Sequence, residues 1–124
     1  MISSTRDLST VLTAAMDGRL LPVAQREDLF TVPDVPYIDA GHCQAGNPGR
    51  ACFGMGLMST TIDGVTVWGK TGSRPGYTDG VFATRDLGRV LVHAFTPTDD
   101  TDPCTAFILG IADAVLAPRT AAQS

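Results

Sequence analysis

The feature that most restricts the fold is a series of four β-rich runs joined by short turns between residues 53 and 95. Branched and aromatic residues fill these runs, as they do in buried or half-buried strands. Asp63-Gly64 is a typical two-residue hairpin turn, and Pro75-Gly76 turns the chain again. Because turns this short join antiparallel strands, the sequence predicts a four-stranded antiparallel sheet with strands at 53–62, 65–70, 78–84 and 89–95.

Three helices are predicted beside this sheet. Apolar residues at helical spacing fill residues 8–16, after a weak capping box that begins at Ser4. A shorter helix covers residues 20–30, and a third begins at Asp102, which has the chemistry of an N-cap. Residues 31–50 are predicted to form a long irregular loop, which in a compact domain is usually functional or packs on another part of the protein. The expected class is α+β, with two N-terminal helices and a C-terminal helix packed on a sheet of about four antiparallel strands.

Composition narrows the choice of partners and location. The chain has 124 residues, 44% of them apolar and 18% charged, as in a single globular domain. Its net charge of −4 argues against nucleic acid or an anionic membrane as partner, because both attract basic surfaces. No apolar run approaches the roughly 20 residues needed to span a bilayer. The first residues also lack the regions of a secretory signal, so as written the chain is expected to stay where it is made.

The cysteines and histidines give no metal site. Cys43, Cys52 and Cys104 are too few for a disulfide scaffold. Cys43 and Cys52 flank a loop and could close a short bridge under oxidising conditions, but free thiols are favoured for a chain without a secretion signal. Neither His42 nor His93 has metal-ligand spacing, and His93, inside an apolar strand, is expected to be a packed core residue. No metal and no other cofactor is predicted.

The end of the second predicted strand carries the candidate binding residues. Lys70, the only lysine of the chain, is followed by Thr71, Gly72 and Ser73. An ammonium, a hydroxyl and a backbone N–H in succession can bind a carboxylate and a carbonyl oxygen, and Gly72 lets another backbone approach closely. The tripeptide Lys-Thr-Gly alone favours a solvated lysine at a strand end over a binding site. Evidence for a binding site therefore has to come from other parts of the sequence.

Short motifs along the whole chain favour the interpretation of Lys70 as part of a binding site. They lie at residues 2–9, 17–22, 53–57, 68–72, 75–77 and 82–86. In this order they resemble the C-terminal part of the penicillin-recognising serine hydrolases, which include class C-type β-lactamases, esterases and D-alanyl-D-alanine carboxypeptidases. The resemblance implies a partial β-lactamase/transpeptidase-like fold and acyl transfer to a serine. It further implies that Lys70 and Thr71 hold a substrate carboxylate and that the N–H of Ser73 is an oxyanion donor.

The sequence departs from this family at the nucleophile. The family serine lies in Ser-x-x-Lys, but the one lysine of this chain is Lys70, which belongs to Lys-Thr-Gly. The family motif Tyr-x-Asn or Ser-x-Asn is also absent, because the residue two positions before the one asparagine, Asn47, is Ala45. Residues 1–124 are therefore expected to be a single partial domain, the C-terminal segment of a hydrolase, inactive until an N-terminal half completes it. The substrate would be a small molecule or peptide with a carboxylate, of β-lactam or D-Ala-D-Ala type. Family members are usually exported, so the location stays open.

Two alternatives remain. A non-catalytic binding or interaction module derived from this family would associate with itself through an exposed strand edge and would not react with a labelled penicillin. An unrelated small α+β domain would have a closed sheet, with Lys70 in open solvent and away from any cleft. The three hypotheses therefore differ in what they predict for the edge of the second strand.

Overall fold

The structure, a computed structural model, describes residues 2–37, 43, 49–98 and 105–118. Its elements are α1 (Thr5–Met16), α2 (Val23–Leu29), β1 (Met58–Ile62), β2 (Val65–Arg74), β3 (Tyr77–Thr84), β4 (Val90–Phe95) and α3 (Thr105–Leu116). The strands form one antiparallel sheet in the order β1-β2-β3-β4. The predicted α+β class is confirmed. The predicted helix start at Asp102, together with His42, Asn47 and Cys104, lies outside the described residues.

Helix α3 covers one face of the sheet, which we call the α3 face. It packs on one buried side chain from each strand: Met58, Val67, Phe82 and Leu91. Leu116, near the end of α3, is fully buried there. The guanidinium of Arg89 donates to the carbonyl oxygen of Leu116 at 2.8 Å, as a cation near a helix C-terminus is expected to do. The start of β4 and the end of α3 are thereby held together.

Helix α1 covers the opposite face, which we call the α1 face. Leu12 and Met16 of α1 pack there against Trp68 and Ala83. Phe30, directly after α2, meets the Trp68 ring edge-on at a centroid distance of 5.2 Å. Since both faces are covered by a helix, the sheet is the middle layer of three. This agrees with β4, whose sequence from Val90 to Phe95 is apolar except for His93 and does not alternate.

The two tight turns of the sheet have the predicted positions. Asp63 and Gly64 have φ values of 46° and 80°, the left-handed conformation that a type I′ hairpin turn requires at both central residues. The second turn, at residues 75–76, follows a β2 that continues to Arg74. The strand thus ends four residues beyond Lys70, where the sequence analysis had ended it. The candidate binding residues therefore lie within a strand and not after one.

The first strand is shorter than predicted. Phe53 forms only an isolated bridge with Met58, and the N–H of Gly54 donates to the carbonyl oxygen of Leu57 at 2.8 Å in a turn. Gly56 has a φ of 118°, which residues with a side chain rarely adopt. Residues 53–57 therefore leave the sheet before β1 begins at Met58, and the prediction of a strand over 53–62 is wrong for this part.

The favoured expectation of free thiols at Cys43 and Cys52 is also wrong, because the two form a disulfide with a Cα–Cα distance of 5.4 Å. Both cysteines are buried in the cluster on the α3 face. The lack of a secretion signal favoured free thiols, whereas the Cα–Cα distance lies in the range that a disulfide spans.

The double substitution of Cys43 and Cys52 by serine is expected to lower the free energy of unfolding by about 2–3 kcal/mol. A loop of this length closed by a disulfide restricts the unfolded chain by about 2.5 kcal/mol. Urea unfolding under non-reducing conditions measures the change, and Cys104→Ser is the control. Equal stability of the wild type and the double variant would contradict the expected role of the bond.

Candidate functional site

The second half of β2 is paired on one side only. β1 pairs with β2 over residues 65–69, whereas β3 pairs with it as far as Arg74. Within the described part of the chain, no strand lies against the other edge of residues 70–74. We call this stretch the open edge. The hypothesis of an unrelated domain requires a closed sheet, whereas the described sheet is open beside Lys70.

The register determines which backbone groups face the open edge. Arg74 and Tyr77 flank a two-residue turn, so they form a hydrogen-bonded pair, and every second residue of β2 counted back from Arg74 bonds to β3. Thr71 and Ser73 lie between these residues and direct their N–H and C=O groups to the open edge. In agreement, the Nζ of Lys70 donates to the carbonyl oxygen of Thr71 at 2.7 Å.

The side chains of the candidate residues point to both faces of the sheet. Lys70 lies on the α1 face, with its Nζ 5.7 Å from the centroid of the Phe53 ring. Thr71 and Ser73 lie on the α3 face, because they pair with Gly80 and Thr78 across β3. Lys70, Thr71 and Ser73 are all exposed. The structure therefore brings an ammonium, a hydroxyl and two outward backbone N–H groups together along one accessible strand edge.

Gly72 is constrained by its neighbour on β3. A Cβ atom built on Gly72 would lie 2.4 Å from Oδ1 of Asp79, the residue directly across from it. Sequence reasoning missed this carboxylate beside the site. The sequence contains the information needed to find it, because the turn at residues 75–76 fixes the register that pairs Gly72 with Asp79.

An open depression of about 460 Å³ adjoins the site. It is lined by Asp28, Thr31, Pro33, Phe53, Gly54 and Met55. Phe53 borders both this depression and the ammonium of Lys70. Sequence reasoning assigned none of these residues to a site, although it expected the loop that begins at Thr31 either to be functional or to pack on another part of the protein. Their proximity depends on the turn that removes residues 53–57 from the sheet, which the sequence analysis did not predict.

His93 is buried in β4, as expected. It is 6% exposed, and its ring stacks on Phe95 at a centroid distance of 5.6 Å. Neither of its ring nitrogens has a hydrogen-bond partner among the described residues. Burial lowers the pKa of His93, and the charge of Asp79 only partly opposes this. The ring is therefore a neutral imidazole at neutral pH.

The described ranges contain no group of three His, Cys, Asp or Glu side chains that could hold a metal ion. None of the helices within them is long and apolar enough to cross a bilayer.

Comparison with known proteins gives a likeness to a solved structure. No protein-family model matches the chain, and no curated protein matches it. A solved structure, a D-stereospecific amidohydrolase from Streptomyces sp., matches 87% of the chain with a TM-score of 0.62 and 30% sequence identity. The match covers 30% of that enzyme's own chain. Its fold is β-lactamase-like, so the chain described above has part of a β-lactamase-like α+β fold and is related to serine hydrolases at this general level.

Proposed function

We propose that this chain carries the substrate-binding strand of a serine hydrolase of the β-lactamase and D-alanyl-D-alanine carboxypeptidase type. Residues 1–124 are then a single partial domain, and the serine nucleophile belongs to polypeptide outside them. The observation that carries this proposal is the open edge, where Lys70, Thr71 and Ser73 offer donors along an unpaired strand. A substrate with an extended backbone can add to such an edge as a further strand.

Each residue of the edge has a role in this proposal. The ammonium of Lys70 and the hydroxyl of Thr71 bind the substrate carboxylate through hydrogen bonds that contribute about 1.5–3 kcal/mol each where a charge is involved. The N–H of Ser73, directed outward, donates to the carbonyl oxygen on which negative charge develops during acylation. Gly72 leaves the edge free of a side chain between these contacts.

The substrate class is supported by the family resemblance and by the order of these donors along one strand. A carboxylate near Lys70 and a reacting carbonyl near Ser73 describe an acylated amino acid or peptide with a free carboxylate, of β-lactam or D-Ala-D-Ala type. The Streptomyces enzyme is a D-stereospecific amidohydrolase, and its name supports an amide as the bond that is cleaved. The chain alone is expected to be inactive, because loss of a serine nucleophile lowers the rate thousands-fold or more.

A chimera tests this function, with the present chain in place of the matching part of the Streptomyces amidohydrolase. We expect the chimera to hydrolyse an amide substrate of that enzyme. For substrates with a free carboxylate, Lys70→Met should lower the kcat/KM of the chimera about 10- to 150-fold, the equivalent of one charge-assisted contact. Arg74→Met is the matched control, since it removes another exposed cation of the same strand. Substrates without the carboxylate should show little difference between Lys70→Met and the parent.

Labelling with a fluorescent penicillin separates the alternatives. The 124-residue chain alone should remain unlabelled, while the chimera should form a covalent adduct. Labelling of the chain alone would mean that its nucleophile lies within residues 1–124 and would contradict the proposal. A chimera that folds but neither hydrolyses nor labels would favour the non-catalytic binding module instead.

A further inference from the structure

His93 shares a row of the sheet with Thr71. The register pairs Thr71 with Gly80 and Gly80 with His93. Because residues paired across an antiparallel ladder point to the same face, the three positions form one row on the α3 face. The middle position of this row is a glycine, so no side chain of the row itself separates Thr71 from His93.

The ring of His93 occupies the space above Gly80. A Cβ atom built on Gly80 would lie 2.4 Å from Nε2 of His93 and 3.0 Å from its Cε1. The ring thus extends from β4 across β3, with Nε2 nearest to the middle of the row. Neighbouring positions in such a row are about 4.5–5.5 Å apart, so Thr71 is the next side chain beyond Nε2.

The imidazole needs an acceptor that its present surroundings do not supply. Neither ring nitrogen is paired within the described residues, although a neutral imidazole always carries one N–H donor and buried donors are rarely left unpaired. Phe95 and Phe107, which lies in α3 and meets Phe95 at 5.8 Å, offer only aromatic rings. Asp79 pairs with Ala94 and points to the α1 face, away from the His93 ring.

We propose that His93 is a positioning residue of the open edge, whose Nε2–H donates to Oγ1 of Thr71. A hydroxyl that accepts this bond keeps its own proton for another partner, so the Thr71 O–H is directed to a ligand carboxylate at the open edge. Thr71 is exposed, and a rotation of its side chain brings Oγ1 towards Nε2. The effect on ligand binding rests on the proposed function, whereas the bond between His93 and Thr71 does not.

Thr78 is the competing acceptor and provides the control. It is 8% exposed and lies on the same face, in the neighbouring row with Ser73 and Phe95. Its hydroxyl faces the same side of the sheet as His93, but it is not on the line from His93 across Gly80. Thr71→Val and Thr78→Val therefore remove the same chemical group from two positions around one ring.

The tautomer of His93 tests the hydrogen bond in the ligand-free chain. Long-range ¹H–¹⁵N NMR of the 124-residue chain at pH 7.5 is expected to show the proton on Nε2. Thr71→Val should lower the ratio of the Nε2–H to the Nδ1–H tautomer about 3- to 10-fold, the loss of one hydrogen bond, while Thr78→Val leaves it unchanged. A proton on Nδ1 in the wild type, or a ratio that follows Thr78→Val and not Thr71→Val, would overturn the inference.

Ligand binding tests the positioning effect separately. The probe is N-acetyl-D-alanyl-D-alanine, titrated while the amide signal of Ser73 is followed. His93→Leu should weaken binding about 3- to 10-fold, and His93→Gln, whose amide N–H₂ can reach the same position, should restore most of it. If Gln and Leu bind alike, the positioning role is wrong. If the probe does not bind the wild type while the tautomer responds to Thr71→Val, the proposed function fails and the hydrogen bond stands.

Discussion

Gly69→Ala is expected to lower the free energy of unfolding by about 3 kcal/mol or more, at or beyond the upper end for overpacked sites. A Cβ atom at this position would lie 1.9 Å from the carbonyl oxygen of Val81 and 2.8 Å from the Cα of Phe82. These are backbone atoms of β3, so no side-chain rotation can relieve the clash, and the two central strands have to separate. A loss of this size is a large part of the 5–15 kcal/mol that typically holds a domain folded.

Gly110→Ala is the matched control for this substitution. Gly110 lies in α3, and nothing lies within 4 Å of a Cβ atom built on it. The same chemical change should therefore stabilise the protein by about 0.5–1 kcal/mol, because alanine favours a helix over glycine. Urea unfolding of both variants measures the two opposite effects. A Gly69→Ala variant as stable as the wild type would show that β2 and β3 do not pack at this register.

Trp68→Ala is expected to destabilise the protein by about 3–5 kcal/mol, the range found for large aromatic side chains removed from a core. Trp68 is 8% exposed, and it fills the α1 face between Leu12, Met16 and Phe30. Its loss leaves a cavity that two elements, α1 and the segment after α2, share. The melting temperature should fall by roughly 10–20 °C.

Calorimetry of three variants checks this expectation. Trp68→Phe keeps an aromatic ring in the same place and should lose less than half as much stability as Trp68→Ala. Tyr77→Ala removes a ring that is 66% exposed and should change the stability by no more than about 0.5 kcal/mol. If Trp68→Ala and Tyr77→Ala have the same effect, α1 does not pack on the sheet as described.

The sheet was predictable because its turns carry unambiguous chemistry. Asp63-Gly64 fixes the pairing of β1 with β2, and the turn at residues 75–76 fixes the pairing of β2 with β3. These two local signals determine the order β1-β2-β3 and the register of these three strands. The helix cap at Ser4 was predictable for the same reason, since its hydroxyl accepts from the N–H of Asp7 as the capping-box pattern predicts.

An exposed strand edge was expected, but its extent along residues 70–74 was not predictable, because it depends on where β1 begins. With the observed register, a strand that started at Phe53 would pair that residue with Arg74 and cover the whole of residues 70–74. The turn at Gly54 and Gly56 prevents this. Glycine in a strand-like run is compatible with both a strand and a turn, so only the tertiary structure decides between them.

For the buried polar groups, the sequence predicts burial but not the bonding partner. The apolar run around His93 predicted its burial, but whether its nitrogens are paired depends on side chains brought in from β2 and α3. The disulfide between Cys43 and Cys52 likewise depends on tertiary packing, which buries both cysteines in the cluster on the α3 face. Periodicity predicts which residues are buried; it does not predict which polar partners they find there.

The open edge also has a consequence for the solubility of the molecule. An unpaired strand is a template for edge-to-edge pairing between copies, and positive side chains along such a strand are a common protection against it. Lys70 and Arg74 lie at the two ends of this stretch and are both exposed. Two copies that met along it would bring like charges together, whereas an anion would be attracted. The same two cations can therefore disfavour pairing with a second copy of the chain and favour binding of an anionic ligand.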